Sequence, residues 1–417
     1  MKTHLSPSYQ GTADGEAAGS IIAKCVHCGL CNATCPTYQL LGDELDGPRG
    51  RIFLVKQLLE GHAVSASTQL HLDRCLGCRA CETTCPSGVE YGRLLDIGRK
   101  LVDARIKRPF AVRALRFTLK EALTSRWFAP ALSAGRLLHP LLPKSIRDKI
   151  PSRRAARARS VVAQRGARRV LVLEGCVQPA LAPNINAATR RVLAAAGFEA
   201  ISIDAAGCCG AIRQHLDDQE GARADIRRNI DAWWPAIERG EIEAIIINAS
   251  GCSICVKDYG YLLAGDSAYA SKAARVAALT RDLSELLTEL VPLLKGKLLT
   301  DTAPHLAFHA PCTLQHGQKL AQVVKTQLAA LGFAVQTPEA ESHLCCGSAG
   351  TYSVLQPVLA AQLRDRKLKH LAALQAECIV SANVGCILHL QSGTTTPVRH
   401  WVEVLDEALC GRAPQRA

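Results

Sequence analysis

Two runs of cysteine carry the most legible chemistry in this 417-residue chain. The first is Cys25-Val-His-Cys28-Gly-Leu-Cys31-Asn-Ala-Thr-Cys35-Pro36, and the second is Cys75-Leu-Gly-Cys78-Arg-Ala-Cys81-Glu-Thr-Thr-Cys85-Pro86. Both read C-x2-C-x2-C-x3-C-P. Three thiolates spaced by two residues on a tight loop can wrap one corner of an iron–sulfur cube, while the fourth, followed by proline, is led away from it. Where two such runs occur together, the fourth cysteine of each ligates the other cluster. The spacing therefore predicts two [4Fe–4S] clusters with crossed ligands. Cys25, Cys28, Cys31 and Cys85 would hold one; Cys75, Cys78, Cys81 and Cys35 would hold the other. Zinc is the competing occupant, because C-x2-C pairs also serve it. Four cysteines within eleven residues, twice over, weigh against two separated zinc pairs.

The other cysteines follow an internal repeat. Arg169-Val-Leu-Val-Leu-Glu-Gly-Cys176 is matched by His305-Leu-Ala-Phe-His-Ala-Pro-Cys312, Gly207-Cys208-Cys209-Gly210 by Leu344-Cys345-Cys346-Gly347, and the strand-like stretch ending at Cys252 by the one ending at Cys386. The offsets are 136, 137 and 134 residues, which an internal duplication explains. The first set is Cys176, Cys208, Cys209, Cys252 and Cys255. The second is Cys312, Cys345, Cys346, Cys386 and His389, the last C-x2-C having become C-x2-H. Five soft donors in one crevice suit an additional iron–sulfur or metal centre in each copy, and buried apolar packing is the alternative use of such thiols. Cys378 and Cys410 fit neither pattern and read as buried or incidental thiols.

The elements that must position these residues follow from periodicity and charge. Arg49 to Glu60 has helical spacing between the two cysteine runs, as does Glu90 to Arg108 after them. In the second half, strands alternate with helical stretches such as Asn184 to Ala196 and Leu359 to Ala373, the pattern of an α/β unit with a mainly parallel sheet. Ligands in such sheets collect beyond the carboxyl ends of the strands, where the repeat cysteines fall. The net charge is +13, but the segment from Arg99 to Arg169 holds 20 basic residues against three acids. The expected organisation is a helical two-cluster ferredoxin-type domain (1–98), a basic, Pro-interrupted helical connector (99–168), and two cysteine-rich α/β repeats (169–300 and 301–417). The fold class is thus α/β with an N-terminal α-helical domain. Leucines and aromatics interleaved with the connector's charges favour peripheral contact with an anionic membrane surface or an acidic partner, a solvated linker being the alternative. The sequence shows neither a signal-peptide pattern nor an apolar run long enough to span a bilayer. No nucleic-acid-binding motif accompanies the basic stretch.

The stretch from His27 through Cys35-Pro-Thr-Tyr-Gln-Leu-Leu-Gly-Asp-Glu-Leu-Asp-Gly-Pro-Arg-Gly-Arg51, together with Ile230-Asp-Ala-Trp-Trp-Pro-Ala-Ile237 and Ser342-His-Leu-Cys-Cys-Gly-Ser-Ala-Gly-Thr-Tyr352, resembles the iron–sulfur subunit of bacterial glycolate oxidase. That resemblance implies an electron-transfer chain working beside FAD-binding subunits that oxidise glycolate to glyoxylate, and passing electrons to a quinone or another acceptor. It also implies a cytoplasmic protein peripheral to the cytoplasmic face of the inner membrane. Related architectures serve anaerobic glycerol-3-phosphate and lactate dehydrogenases, and the Cys-Cys-Gly sites leave a thiol/disulfide reductase as a further alternative. The chain carries no Gly-rich nucleotide cradle, so FAD is expected on partners and no catalytic residue is assigned here.

Overall fold

The structure is a computed structural model that describes residues 1–125, 127–137, 167–299 and 304–411. The N-terminal part is helical. Helices Ala13–Ala23, Pro48–Leu59, Ala66–Asp73 and Tyr91–Arg105 enclose a core of Ile22, Leu58, Leu59, Leu72 and Leu94. Pro48–Leu59 and Tyr91–Arg105 approach closely because Gly98 has no side chain; a Cβ there would lie 2.6 Å from Val55 Cγ2. The second of these helices runs through the boundary expected at residue 98. Its Arg99 is buried and donates to the carbonyls of Leu72 (2.9 Å) and Cys75 (2.8 Å), so this arginine belongs to the cluster domain rather than to a connector.

The C-terminal half contains two four-stranded parallel sheets: β1 (Arg168–Val172), β2 (Phe198–Ile201), β3 (Ala244–Ile247) and β4 (Thr280–Asp282), then β5 (His305–Phe308), β6 (Ala334–Gln336), β7 (Cys378–Ser381) and β8 (Val398–His400). Their orders are β2-β1-β3-β4 and β6-β5-β7-β8, the same path traced twice. Alternation along the strands feeds two faces. Val170, Val172 and Ile246 enter the core shared with the second repeat, while Leu171, Ile245 and Ile247 face Trp233 and Tyr259.

The repeats interlock. Helix Trp401–Leu409 lies on helix Pro183–Ala195, where Arg191 pairs with Asp406 (2.7 Å) and Asn184 donates to Glu403 (2.8 Å). Trp401 is fully buried and its indole N–H donates to Ser284 of the first repeat (3.3 Å).

Of the basic segment, helix Phe110–Thr124 buries none of its residues, yet part of its charge is spent internally. Lys120 pairs with Asp218 (2.8 Å), Arg116 pairs with Asp217, and Glu121 takes Arg213 (2.8 Å). Residues 138–166 of the connector lie outside the described residues. Among the described residues, no helix is long and apolar enough to cross a membrane.

Candidate metal centres

Each N-terminal run folds into the same loop. His27 and Gly29 in the first, and Gly77 and Arg79 in the second, occupy matching positions with φ between 60° and 82°. This left-handed backbone turns successive cysteines toward one point, and the loop imposes it even where the residue is His or Arg. Cys35 and Cys85 then take extended backbone, with Pro36 opening the next helix after the first. Thr34 and Thr84, which precede these two cysteines, are joined by a 3.1 Å hydrogen bond where the two arms pass.

The result is a crossed pair of thiol groups. One cavity is lined by Cys25, Cys28, Cys31 and Cys85, with Cys81 also on its wall; the other is lined by Cys35, Cys75, Cys78 and Cys81. The electrostatics agree. The Cys31 thiol is pushed up to about 11, by burial first and then by Cys25, Cys85 and Cys28. Burial pushes Cys81 well up, followed by Cys78, Cys75 and Cys35. Thiols held neutral in this way need a bound cation to become thiolates, so the donor chemistry fits a metal cluster in each cavity.

Charge and hydrogen bonds are also in place around the second group. Gly77 N–H (3.4 Å) and Tyr91 O–H (3.6 Å) donate to Cys75 Sγ. The buried Arg51 lines the cavity and pairs with Asp46 (3.3 Å), which also takes Arg74 (2.9 Å) and lies 3.2 Å from His71. Asp43, Asp46 and His71 stand close enough to hold an ion, but the two arginines already satisfy Asp46.

In the first repeat the sequence-predicted set converges. Cys208 pushes the Cys176 and Cys209 thiols well up, Cys252 and Cys255 push Cys209 further, and Cys255 Sγ donates to the Cys209 carbonyl (3.3 Å). In the second repeat, Cys312 and Cys345 sulfurs are 3.9 Å apart and Cys346 contacts Cys386. The glycine after each cysteine pair plays one part twice: Gly210 N–H donates to Cys208 Sγ (3.5 Å) and Gly347 N–H to Cys345 Sγ (3.4 Å). Both glycines have φ above 90° or at it, and a Cβ on Gly347 would stand 2.5 Å from the Ala360 carbonyl. Gly347→Ala should therefore destabilise the protein by about 1–3 kcal/mol, read as a lower unfolding midpoint, through backbone strain and that clash.

His389 stands apart from the second set's close group. Its Nε2 hydrogen-bonds with the Ala360 carbonyl (3.1 Å), because helix Val384–Gln391 turns it onto the neighbouring helix Pro357–Ala372. The histidine grouped with the second set is instead His309, at the end of β5, within 4.8 Å of the sulfurs of Cys346 and Cys386. Sequence reading missed it, although a polar residue ending an apolar strand was a visible signal. Cys378 is buried within β7, away from any such group among the described residues, and Cys410 follows the last described helix.

Comparison with known proteins adds the lineage. A 4Fe-4S dicluster domain matches residues 21–89, and a cysteine-rich domain matches twice, at 170–257 and 306–391. The glycolate oxidase iron-sulfur subunit of Escherichia coli (strain K12) is 53% identical over 410 residues, covering 98% of this chain and 99% of the relative. The chain belongs to the glycolate oxidase iron–sulfur subunit family. The probable glycolate oxidase iron-sulfur subunit of Bacillus subtilis (strain 168) is 28% identical over 89% of each chain. Lactate utilization protein A of Exiguobacterium sp. (strain ATCC BAA-1283 / AT1b) is 24% identical over 56% of this chain.

For a member of the glycolate oxidase iron–sulfur subunit family, the seam between the two halves is the telling region. Leu76 and Cys78 sit in one apolar cluster with Cys312, Cys345 and Tyr352 of the second repeat. Tyr352 O–H donates to the Arg74 carbonyl (3.1 Å), and Thr83 Oγ1 lies 3.0 Å from His316 Nδ1. The second N-terminal cysteine group thus abuts the second repeat's cysteines directly.

Proposed function

We propose that this chain is the electron-transfer subunit of a flavin-dependent glycolate oxidase, taking electrons from FAD on partner subunits and delivering them to a quinone or another acceptor. Cys25, Cys28, Cys31 and Cys85 hold one [4Fe–4S] cluster, and Cys75, Cys78, Cys81 and Cys35 hold the other. Such clusters, when bound, accept and release single electrons at potentials set by hydrogen bonds and burial. The observation that carries the reading is the crossed lining of the two cavities by these eight cysteines. The chain's own residues set the environment: Arg51 and Arg99 bring buried positive charge to the second group, and Gly77 and Tyr91 donate to its sulfur. Further metal centres are assigned to Cys176, Cys208, Cys209, Cys252 and Cys255, and to Cys312, Cys345, Cys346 and Cys386.

The first group opens outward. Cys28 is exposed, flanked by Val26 (70% exposed) and Leu30 (54%), and this apolar rim is the face we assign to a partner subunit. Peripheral contact with an anionic membrane face is assigned to helix Phe110–Thr124 and the following turn, supported by the exposed Phe110, Phe117 and Trp127. The cytoplasmic side of the inner membrane is the corresponding location.

Iron analysis tests the ligand assignment. Anaerobically purified protein should hold about eight irons from the two N-terminal groups alone, and Cys28→Ser should lose about four of them. Zinc in place of iron after anaerobic reconstitution with both metals would refute the assignment.

A further inference from the structure

The second repeat has moved one donor. The offset that aligns Cys176 with Cys312 sets Leu173 opposite His309, and the offset that aligns Cys252 with Cys386 sets Cys255 opposite His389. In the first repeat the strand end is apolar, with Leu173 in the core, and the donor stands on helix Ser250–Lys257 as Cys255. In the second the helix position is turned away onto the Ala360 carbonyl, and the strand end carries the donor.

His309, Cys346 and Cys386 are 3%, 1% and 4% exposed. One ring nitrogen and the two sulfurs all lie within 4.8 Å of one another, and His309 Nε2 is buried without a hydrogen-bond partner. An unsatisfied buried imidazole nitrogen costs free energy unless something binds it. A tetrahedral ion with sulfur at about 2.3 Å and nitrogen at about 2.0 Å sets its donors roughly 3.5–3.8 Å apart, which suits this spacing. Donors to different irons of one cluster radiate from separate metal atoms and stand farther apart.

We propose that His309, Cys346 and Cys386 bind a single thiophilic divalent ion of the zinc class, forming an imidazole–bis-thiolate site peculiar to the second repeat. Binding releases the two thiol protons, so the ion and the two thiolates sum to zero charge. His309 Nε2, buried and without a hydrogen-bond partner, is a ring nitrogen placed to give its lone pair. Asn383 donates to Cys386 Sγ (3.6 Å) and fixes that sulfur. Such an ion is redox-inert and fixes β5, β7 and the Cys-Cys-Gly loop together rather than relaying electrons.

The test uses the full chain, purified anaerobically, loaded with Zn2+ and dialysed, then read by zinc-edge X-ray absorption and metal analysis. Zinc taken up by the N-terminal groups would have sulfur neighbours alone, so the nitrogen neighbour and its loss in His309→Ala read this site even if the relay assignment fails. We expect one retained zinc per chain with two or three sulfur neighbours and a nitrogen neighbour. His309→Ala should weaken zinc retention tenfold or more, and His389→Ala should leave it unchanged. His309→Cys keeps a soft donor where His309→Ala fails to fold, and should retain zinc in an all-sulfur shell. Absence of retained zinc in the unaltered chain, a nitrogen neighbour surviving in His309→Cys, or loss of iron instead of zinc in His309→Ala would each overturn the proposal.

Discussion

Cys78→Ser, assembled with its partner subunits, should abolish reduction of the acceptor while glycolate still reduces the partner flavin. Three features make this cysteine the sensitive one. It lines the second N-terminal cavity, burial pushes its thiol well up, and Cys312 across the seam is the next contributor. Serine there removes a soft ligand from the position between the N-terminal domain and the second repeat, and about four irons should be lost with it. Stopped-flow mixing with glycolate reads the flavin, and a dye or quinone acceptor reads the exit. If the flavin also failed to bleach in a correctly assembled variant complex, the chain would be doing something other than relaying electrons.

Asp46→Ala should lower stability by about 3–5 kcal/mol, the cost of breaking a buried ion pair by removing one member. Asp46 is fully buried, and its carboxylate answers Arg51 at 1% exposure as well as Arg74. Alanine would leave the Arg51 guanidinium in the core with only neutral acceptors, the His71 carbonyl (2.7 Å) and Thr37 Oγ1 (3.1 Å). The effect should reach the metal site, since Thr37 lies 3.3 Å from Cys35 Sγ and also donates to the Asp46 carbonyl (2.8 Å). Anaerobic denaturant unfolding checks the magnitude, and Asp46→Asn, which keeps an acceptor without the charge, should lose less. A midpoint unchanged in Asp46→Ala would mean that Arg51 finds water.

Much of this architecture was legible because it rests on local rules. Helix Pro48–Leu59 begins one residue before the stretch read from periodicity, and helices Pro183–Ala195 and Pro357–Ala372 fall within two residues of theirs. The repeat offsets anticipated two copies of one parallel sheet. The edge strands β4 and β8 were not readable, being three residues each, with Asp282 and His400 buried among them. The basic connector misled in part, because charge composition cannot tell a solvated arginine from Arg116, whose partner Asp217 lies a hundred residues onward. His389 misled for a related reason: C-x2-H fixes spacing along a helix but not what the ring meets, and here it meets the Ala360 carbonyl.

The grip of helix Trp401–Leu409 on helix Pro183–Ala195 also bears on the order of synthesis. Domains emerging from a ribosome ordinarily close one after another, N-terminal first. Here the first repeat cannot cover the apolar side of Pro183–Ala195 until a helix translated some two hundred residues later arrives. A nascent chain stalled before Trp401 would present that side to chaperones.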